Sequence, residues 1–462
     1  MLEYKIKIAL APIRRNNGPR PGLFNPDYAI ARKREICAYI YEKYASDTVE
    51  FVDLDFLNEE GLISDDADAE RAAETLTAQK VDALFVINCN FGDEEAAGRM
   101  AKKIGKPVLI WAPLDDIFEE DGIRYTDSQC GLFAVSKYLQ RNHIPFSHIP
   151  NCRITDPEFD AELRRFISVT CMVKNFVGMR ILQIGLRPKP FTSVIVNEGE
   201  LMERFGISVV PVNLAVIIQK HREIMETMDE VLEKDIASFK LRFDVAPLDD
   251  PQLKRMMAFK HLYKALLAEY QCDVIAGECW TAMQIAVDAM PCCAMGELAD
   301  ERIIVACETD IHGAITLALL SAASLGRSVP FFLEFTVRHP ENPNVEMLWH
   351  CGPAAHSLKK AGAEAKVFNH KCSFPIKDGK FTIARMDVIG GEYSLLAGTF
   401  KSAGGPHTFG NYIWAQFDDF KKWEKKAIDG PYIHHMAEIE GDYVAALTEF
   451  CKFIPDLKID LP

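Results

Sequence analysis

Short apolar runs rich in β-branched residues alternate with helical stretches along the first 330 residues. This alternation limits the fold more than any other feature of the chain. Ile6–Leu10, Val49–Leu54, Ala83–Asn88 and Val108–Trp111 read as strands. Tyr28–Tyr44, Asp68–Gln79 and Glu94–Ile104 read as the helices between them. Strand following helix following strand calls for crossover connections, and therefore for a parallel sheet covered on both faces. Near residue 169 the pattern restarts. Arg180–Gly185, Ile207–Val210 and Asp273–Ala276 read as strands; Glu198–Phe205, Ala215–Leu241, Leu253–Tyr270 and Trp280–Met290 read as helices. After about residue 330 the elements change to short strands punctuated by Gly, Pro and Asn, with Gly390-Gly391 as a hairpin signal. The expectation is an α/β protein of three parts. Residues 1–168 and 169–330 form parallel α/β domains, and 331–462 forms a β-rich domain of barrel or sandwich type.

Charge narrows the function. A formal net charge of −15 argues against nucleic acid as a partner. Thirteen cysteines, with no C-x-x-C pair, read as reduced thiols of a cytoplasmic protein rather than a disulfide framework. The opening MLEYKIKIALAP reads as an amphipathic strand, too charged for a signal peptide. No apolar run approaches the roughly 18 residues of a membrane span, so no membrane partner is expected. No G-x-G-x-x-G follows the first strand, which leaves a dinucleotide site without support.

The chemistry concentrates in Arg302–Phe335. A strand at Ile303–Val305 runs into Glu308 and Asp310, a helix follows over Gly313–Ser324, and a second strand, Val329–Leu333, delivers Glu334. Glu308 and Glu334 lie 26 residues apart, the length of a strand–helix–strand repeat. Two parallel strands joined by one crossover would bring both acids to one sheet edge, where such sheets bind ligands. Paired carboxylates there need a cation or a shared proton. The plain alternative is two surface acids, or Asp310 simply capping the helix.

Adjacent histidines, His434 and His435, sit in an apolar context near the end of the chain. A neutral imidazole with two carboxylates suits Mn²⁺ or another divalent metal. His350, at a strand end, is a further candidate; His312, His356 and His407 fit structural roles better. Glu278 ends a strand and is a candidate pocket residue. Trp280 beside it could stack on a sugar face or belong to the core. Arg14, Arg15 and Arg20 follow the first strand on a Gly/Pro-rich loop and could meet an anion, a neighbouring subunit or solvent.

Four segments in order resemble the L-fucose isomerase/L-arabinose isomerase superfamily: VGMRILQIGLRPKPF (Val177–Phe191), ACETDIHGA (Ala306–Ala314), SVPFFLEFTV (Ser328–Val337) and YIHHMAEIEGDYVAALTEFCKFI (Tyr432–Ile454). The resemblance implies two Rossmann-like doubly wound domains followed by a β-rich, barrel-like domain. It also implies a cytoplasmic homo-oligomer, a hexamer or a trimer, using Mn²⁺ or another divalent metal. By the same resemblance Glu308 and Glu334 are the acid/base pair and, with His435, the metal ligands. His434 competes for the ligand position, and His350 could join the metal as the further histidine of arabinose-isomerase-like members; Asp310 and His312 are, apart from the resemblance, candidate substrate-contacting or supporting residues.

The implied activity is interconversion of an aldose and its 2-ketose through an enediol. The substrate would be an L-fucose-, L-arabinose- or D-arabinose-like sugar, or an anionic hexose such as a sulfosugar. Two other classes fit the same sequence: a sugar-binding protein without catalysis, and a metal-dependent sugar lyase or aldolase.

Overall fold

A computed structural model of the chain describes residues 1–16, 24–115, 122, 124–246, 248–279, 281–368 and 370–462. The chain divides into two compact units. One comprises Glu3–Lys174 with Thr448–Phe453. The other comprises Met1–Leu2, Asn175–Leu447 and Ile454–Pro462.

The first unit is built on a parallel sheet. Strands β1 (Ile6–Ile13), β2 (Val49–Val52), β3 (Ala83–Asn88), β4 (Val108–Trp111) and β5 (Phe146–His148) lie in the order β2-β1-β3-β4-β5. Every residue of β3 and β4 is buried, as expected of strands covered on both faces. Ala9, Leu84, Val86 and Ile110 pack with Ala72, Leu76, Ala96 and Met100 of the helices Asp66–Ala78 and Glu94–Ile104. The second of these helices is delimited by its ends. Asp93 accepts from the N–H groups of Glu95 and Ala96, and Gly105 closes it in the left-handed conformation.

The second unit carries two sheets. Strands β6 (Arg180–Ile184), β7 (Ser208–Val212), β8 (Val274–Gly277) and β9 (Val305–Cys307) are parallel, in the order β7-β6-β8-β9. The chain then builds β10 (Phe331–Arg338), β11 (Val345–His350), β12 (Lys366–Phe368), β13 (Lys371–Pro375), β14 (Lys380–Ile389), β15 (Glu392–Ala403), β16 (Asn411–Gln416), β17 (His435–Glu440) and β18 (Leu457–Asp460). These form one sheet in the order β12-β13-β16-β11-β10-β17-β14-β15-β18. β15 pairs with β16 as well, so the run of strands from β16 to β15 returns on itself. The protein is thus α/β, with parallel sheets followed by a β-rich C-terminal part.

Three local expectations change. The single helix expected over Ala215–Leu241 is two, Leu214–Thr227 and Asp229–Lys240, broken at Met228. Asp229 and Glu230 favour a fresh helix start because carboxylates stabilise the positive end of the helix dipole. The helix expected over Trp280–Met290 is a short one, Ala282–Val287, ended by a left-handed Asp288; Cys292–Asp300 forms another after Pro291. Finally, β9 and β10 are not parallel neighbours on one sheet. β9 ends the four-stranded sheet, whereas β10 lies between β11 and β17, antiparallel to both. An apolar run of this length carries no information about which sheet it joins.

Candidate active site

Four elements of the second unit bring the acids and histidines together. β9 ends at Cys307, and the chain turns through Glu308 and Thr309 with φ of 62° and 58°. Neither residue is glycine, so this left-handed pair is strained by about 1 kcal/mol or more per residue. The turn leaves Glu308 almost buried. Asp310 then caps the helix Ile311–Ala323, its carboxylate accepting from the Gly313 N–H at 2.8 Å. Glycine is required at 313, because a Cβ there would stand 2.7 Å from the ring of Phe332.

Glu334 lies in β10 directly opposite His435 in β17. This antiparallel register, rather than a parallel crossover, brings the two acids to one place. His435 Nε2 stands 3.1 Å from Glu308 Oε2 and 3.9 Å from Glu334 Oε2. His434 Nε2 reaches Glu334 Oε2 at 3.2 Å, and its side chain is 44% exposed against 1% for His435.

Asp310 sets the orientation of His435. Its Oδ2 accepts from His435 Nδ1 at 2.9 Å and from Arg385 Nη1 at 2.6 Å. Arg385, fully buried in β14, also donates to Asp387 at 3.1 Å; His312 Nδ1 stands 3.3 Å from the other oxygen of Asp387. Once Nε2 gives up its proton, as metal binding would require, His435 keeps the other proton on Nδ1 for Asp310 and aims the Nε2 lone pair at the glutamates, the arrangement by which carboxylates orient metal-binding histidines.

The electrostatics follow. Burial opposes ionisation of Asp310, but Arg385 and His435 outweigh it and hold the carboxyl well below the usual range. Burial likewise opposes charging His435, yet Asp310 and Glu308 push its imidazole up to about 9. Glu334 is held below its ordinary value despite burial, through His434 and the other imidazoles. The cluster therefore stabilises positive charge where His435 Nε2 meets the two carboxylates. His435 Nε2 is buried without an aligned hydrogen bond, and its nitrogen with carboxylate oxygens is the donor set of a divalent ion such as Mn²⁺. Glu334, His434 and His435 also offer atoms within 4.8 Å of one another. On both counts these residues fit a metal.

His350 is buried at the end of β11. Its Nδ1 accepts from the Cys351 N–H at 2.9 Å, which leaves the proton of the neutral ring on Nε2. Nε2 has no hydrogen-bond partner among the described residues. In that state His350 is a donor and not a metal ligand. A cleft of about 590 Å³ has Glu308, Trp349, Cys351, His370 and Lys371 in its wall, a volume suited to a small ligand.

Other sequence candidates lie elsewhere. Glu278 is buried and accepts from the Leu186 N–H at 2.9 Å; a Cβ at Gly185 would collide with its carboxylate. It fastens the turn after β6. Arg14 forms a bidentate pair with Glu60, and Arg15 pairs with Glu94 while lying over the ring of Phe91. Both belong to the first unit. Trp280 and Arg20 lie outside the described residues.

The family model for the N-terminal domain of fucose/sulfoquinovose isomerase matches residues 20–177. A sulfoquinovose isomerase of Alkalicoccus urumqiensis is 27% identical over 329 residues, 68% of this chain and 71% of that one. The sulfoquinovose isomerase of Priestia megaterium (strain ATCC 12872 / QMB1551) is 23% identical over 333 residues, 70% of this chain and 72% of that one. These matches support a relationship to the L-fucose isomerase/L-arabinose isomerase superfamily. Among solved structures, a periplasmic solute-binding protein of an ABC transporter from Actinobacillus succinogenes 130z, with bound D-allose, is matched over 69% of this chain and 92% of that one. Its identity is 15% and its TM-score 0.17, a level that carries no argument.

Sequence reasoning missed Arg385, Asp387 and Lys371. The first two had a signal: charges two residues apart point to one face of a strand whose other residues, Phe381, Ile383, Ala384 and Met386, are apolar and buried. Lys371 follows a turn and had none.

Proposed function

We propose that this protein is an aldose–ketose isomerase acting on a sulfonated hexose. The observation that supports the reading most is the convergence of Glu308 and Glu334 on one buried imidazole nitrogen whose orientation Asp310 sets. Such an enzyme must move a proton between C1 and C2 of a sugar whose C–H bonds are weakly acidic. Glu308 takes the proton from C2 and returns it at C1, and Glu334 exchanges the hydroxyl proton. His350 donates from Nε2 to a sugar oxygen. Trp349 gives the ring an apolar face to lie against, with its indole Nε1 anchored to the Phe409 carbonyl at 2.5 Å.

Glu308, Glu334 and His435 would hold a divalent ion, Mn²⁺ by donor set. When bound, it would draw negative charge from the sugar's vicinal oxygens and so lower the barrier to proton removal.

The sulfonate comes from the names of the relatives and from one residue in the cleft. Lys371 makes no ion pair among the described residues, and its ammonium can face an anion. The same reading includes two Rossmann-like domains (1–168 and 169–330), a barrel-like domain (331–462), a cytoplasmic location and a homo-oligomer. The return of β15 onto β16 supports the barrel.

Incubation with sulfoquinovose and neutral aldoses in D₂O, followed by NMR, tests the proposal. The ketose of the sulfosugar should form with deuterium at C1, and the recovered aldose should carry it at C2. A fragmented sugar would indicate a lyase, and binding without turnover a sugar-binding protein; either would overturn the reading.

A further inference from the structure

Four cysteines of the second unit converge, although no two are closer than 13 residues in sequence. Cys279 follows β8, Cys292 opens the helix Cys292–Asp300, Cys307 ends β9, and Cys351 follows β11. All four are buried. The thiol sulfurs of Cys292, Cys307 and Cys351 lie within 4.8 Å of one another, with 3.7 Å between Cys292 and Cys351. Cys279 lies beside Cys292 and Cys307 but not within 4.8 Å of all three sulfurs.

Packing alone is a poor account of this arrangement. Other buried thiols in the same unit find a carbonyl: Cys293 donates to His370 and Cys272 to Tyr270. The thiols of Cys292, Cys307 and Cys351 face each other instead, with Cys279 beside two of them. Four sulfurs at the corners of a tetrahedron, each about 2.3 Å from a central zinc, would be about 3.8 Å apart. The spacing of Cys292 and Cys351 matches that edge, and it is well beyond the roughly 2 Å of a disulfide. An iron–sulfur cube would hold its ligands farther apart than this group allows.

We propose that Cys279, Cys292, Cys307 and Cys351 bind a single thiophilic cation, Zn²⁺ by preference, as a structural centre separate from the Glu308–Glu334–His435 site. Binding displaces the four thiol protons, and no electron is transferred. Three of the ligands adjoin Glu278, Glu308 and His350 in sequence, so the ion fixes the strand ends that carry those residues. Cys351 also lines the cleft, which gives the ion a way in.

Elemental analysis and cobalt substitution test this on the full chain purified with reductant. Zinc should be present at one per chain after mild chelation has stripped the carboxylate site. Titration with p-hydroxymercuribenzoate should release it in step with loss of thiols. Protein refilled with Co²⁺ should show an intense near-ultraviolet thiolate-to-cobalt band. Cys292→Ser and Cys307→Ser should lose both the zinc and the band, while His435→Asn should keep them. If the serine variants fail to fold, the wild-type measurements still decide. No thiolate-to-cobalt band in wild type, mercurial titration that releases no zinc, or a Cys292–Cys351 disulfide in the native protein would each overturn the proposal.

Discussion

The two units handle charge at their strand ends differently. In the first, Arg15 at the end of β1 meets Glu94 across a side-chain pair that is 34% and 38% exposed, and solvent screens what remains. In the second, Asp310, Arg385, Asp387 and His435 are enclosed together, and Glu308 and Glu334 are turned toward the histidine. Solvated pairs of the first kind add little to stability and shift little when one partner goes. An enclosed network holds each member in one protonation state and one orientation. Chemistry belongs with the second arrangement, and five substitutions probe the contrast.

The largest effect should come from Glu308→Gln, which keeps the shape but removes the base. Turnover should fall by about 10²–10⁴-fold or more, with an unaltered circular dichroism spectrum; activity near wild type would take Glu308 out of the reaction. Asp310→Asn strips the charge that Arg385 and His435 share. We expect a stability loss of about 3–5 kcal/mol by denaturant titration, and metal affinity lower by about 10–100-fold. Arg15→Gln in the first unit should cost under about 1 kcal/mol in the same assay. Equal losses would erase the contrast.

Lys371→Gln should raise KM for a sulfonated aldose by roughly tenfold, the worth of one charge-assisted contact, and leave any neutral aldose unaffected. Equal effects on both sugars would assign Lys371 to the fold. A pH-dependent effect concerns Glu346, which burial pushes up to about 7 even though Arg338 opposes the shift. Its folded value lies above the unfolded value of about 4.3. Its contribution is therefore complete below pH ~4.3 and is lost as pH rises through about 7. Calorimetry of Glu346→Gln should show a stability gain over wild type that grows across that window.

Much of the first unit was legible because strands buried on both faces are uninterrupted apolar runs. Ala83–Asn88 and Val108–Trp111 have the limits that their sequences suggest. The acids and His435 were legible as residue types at strand ends. Their convergence was reached by a wrong route, since β9 and β10 belong to different sheets and register with β17 does the work. Asp310 shows the limit most clearly. Its capping role is local and readable, whereas its bonds to Arg385 and His435 span 75 and 125 residues. The cysteine group was hidden for the same reason, because nothing in a single sequence measures long-range proximity.

The central claim is that Glu308, Glu334 and His435 grip one ion together. Titration of Mn²⁺ followed by electron paramagnetic resonance, in wild type and in Glu308→Gln, Glu334→Gln and His435→Asn, tests it most directly. The account predicts one tight site in wild type outside the cysteine centre, weakened in all three variants. Wild-type affinity in any one of them would contradict it.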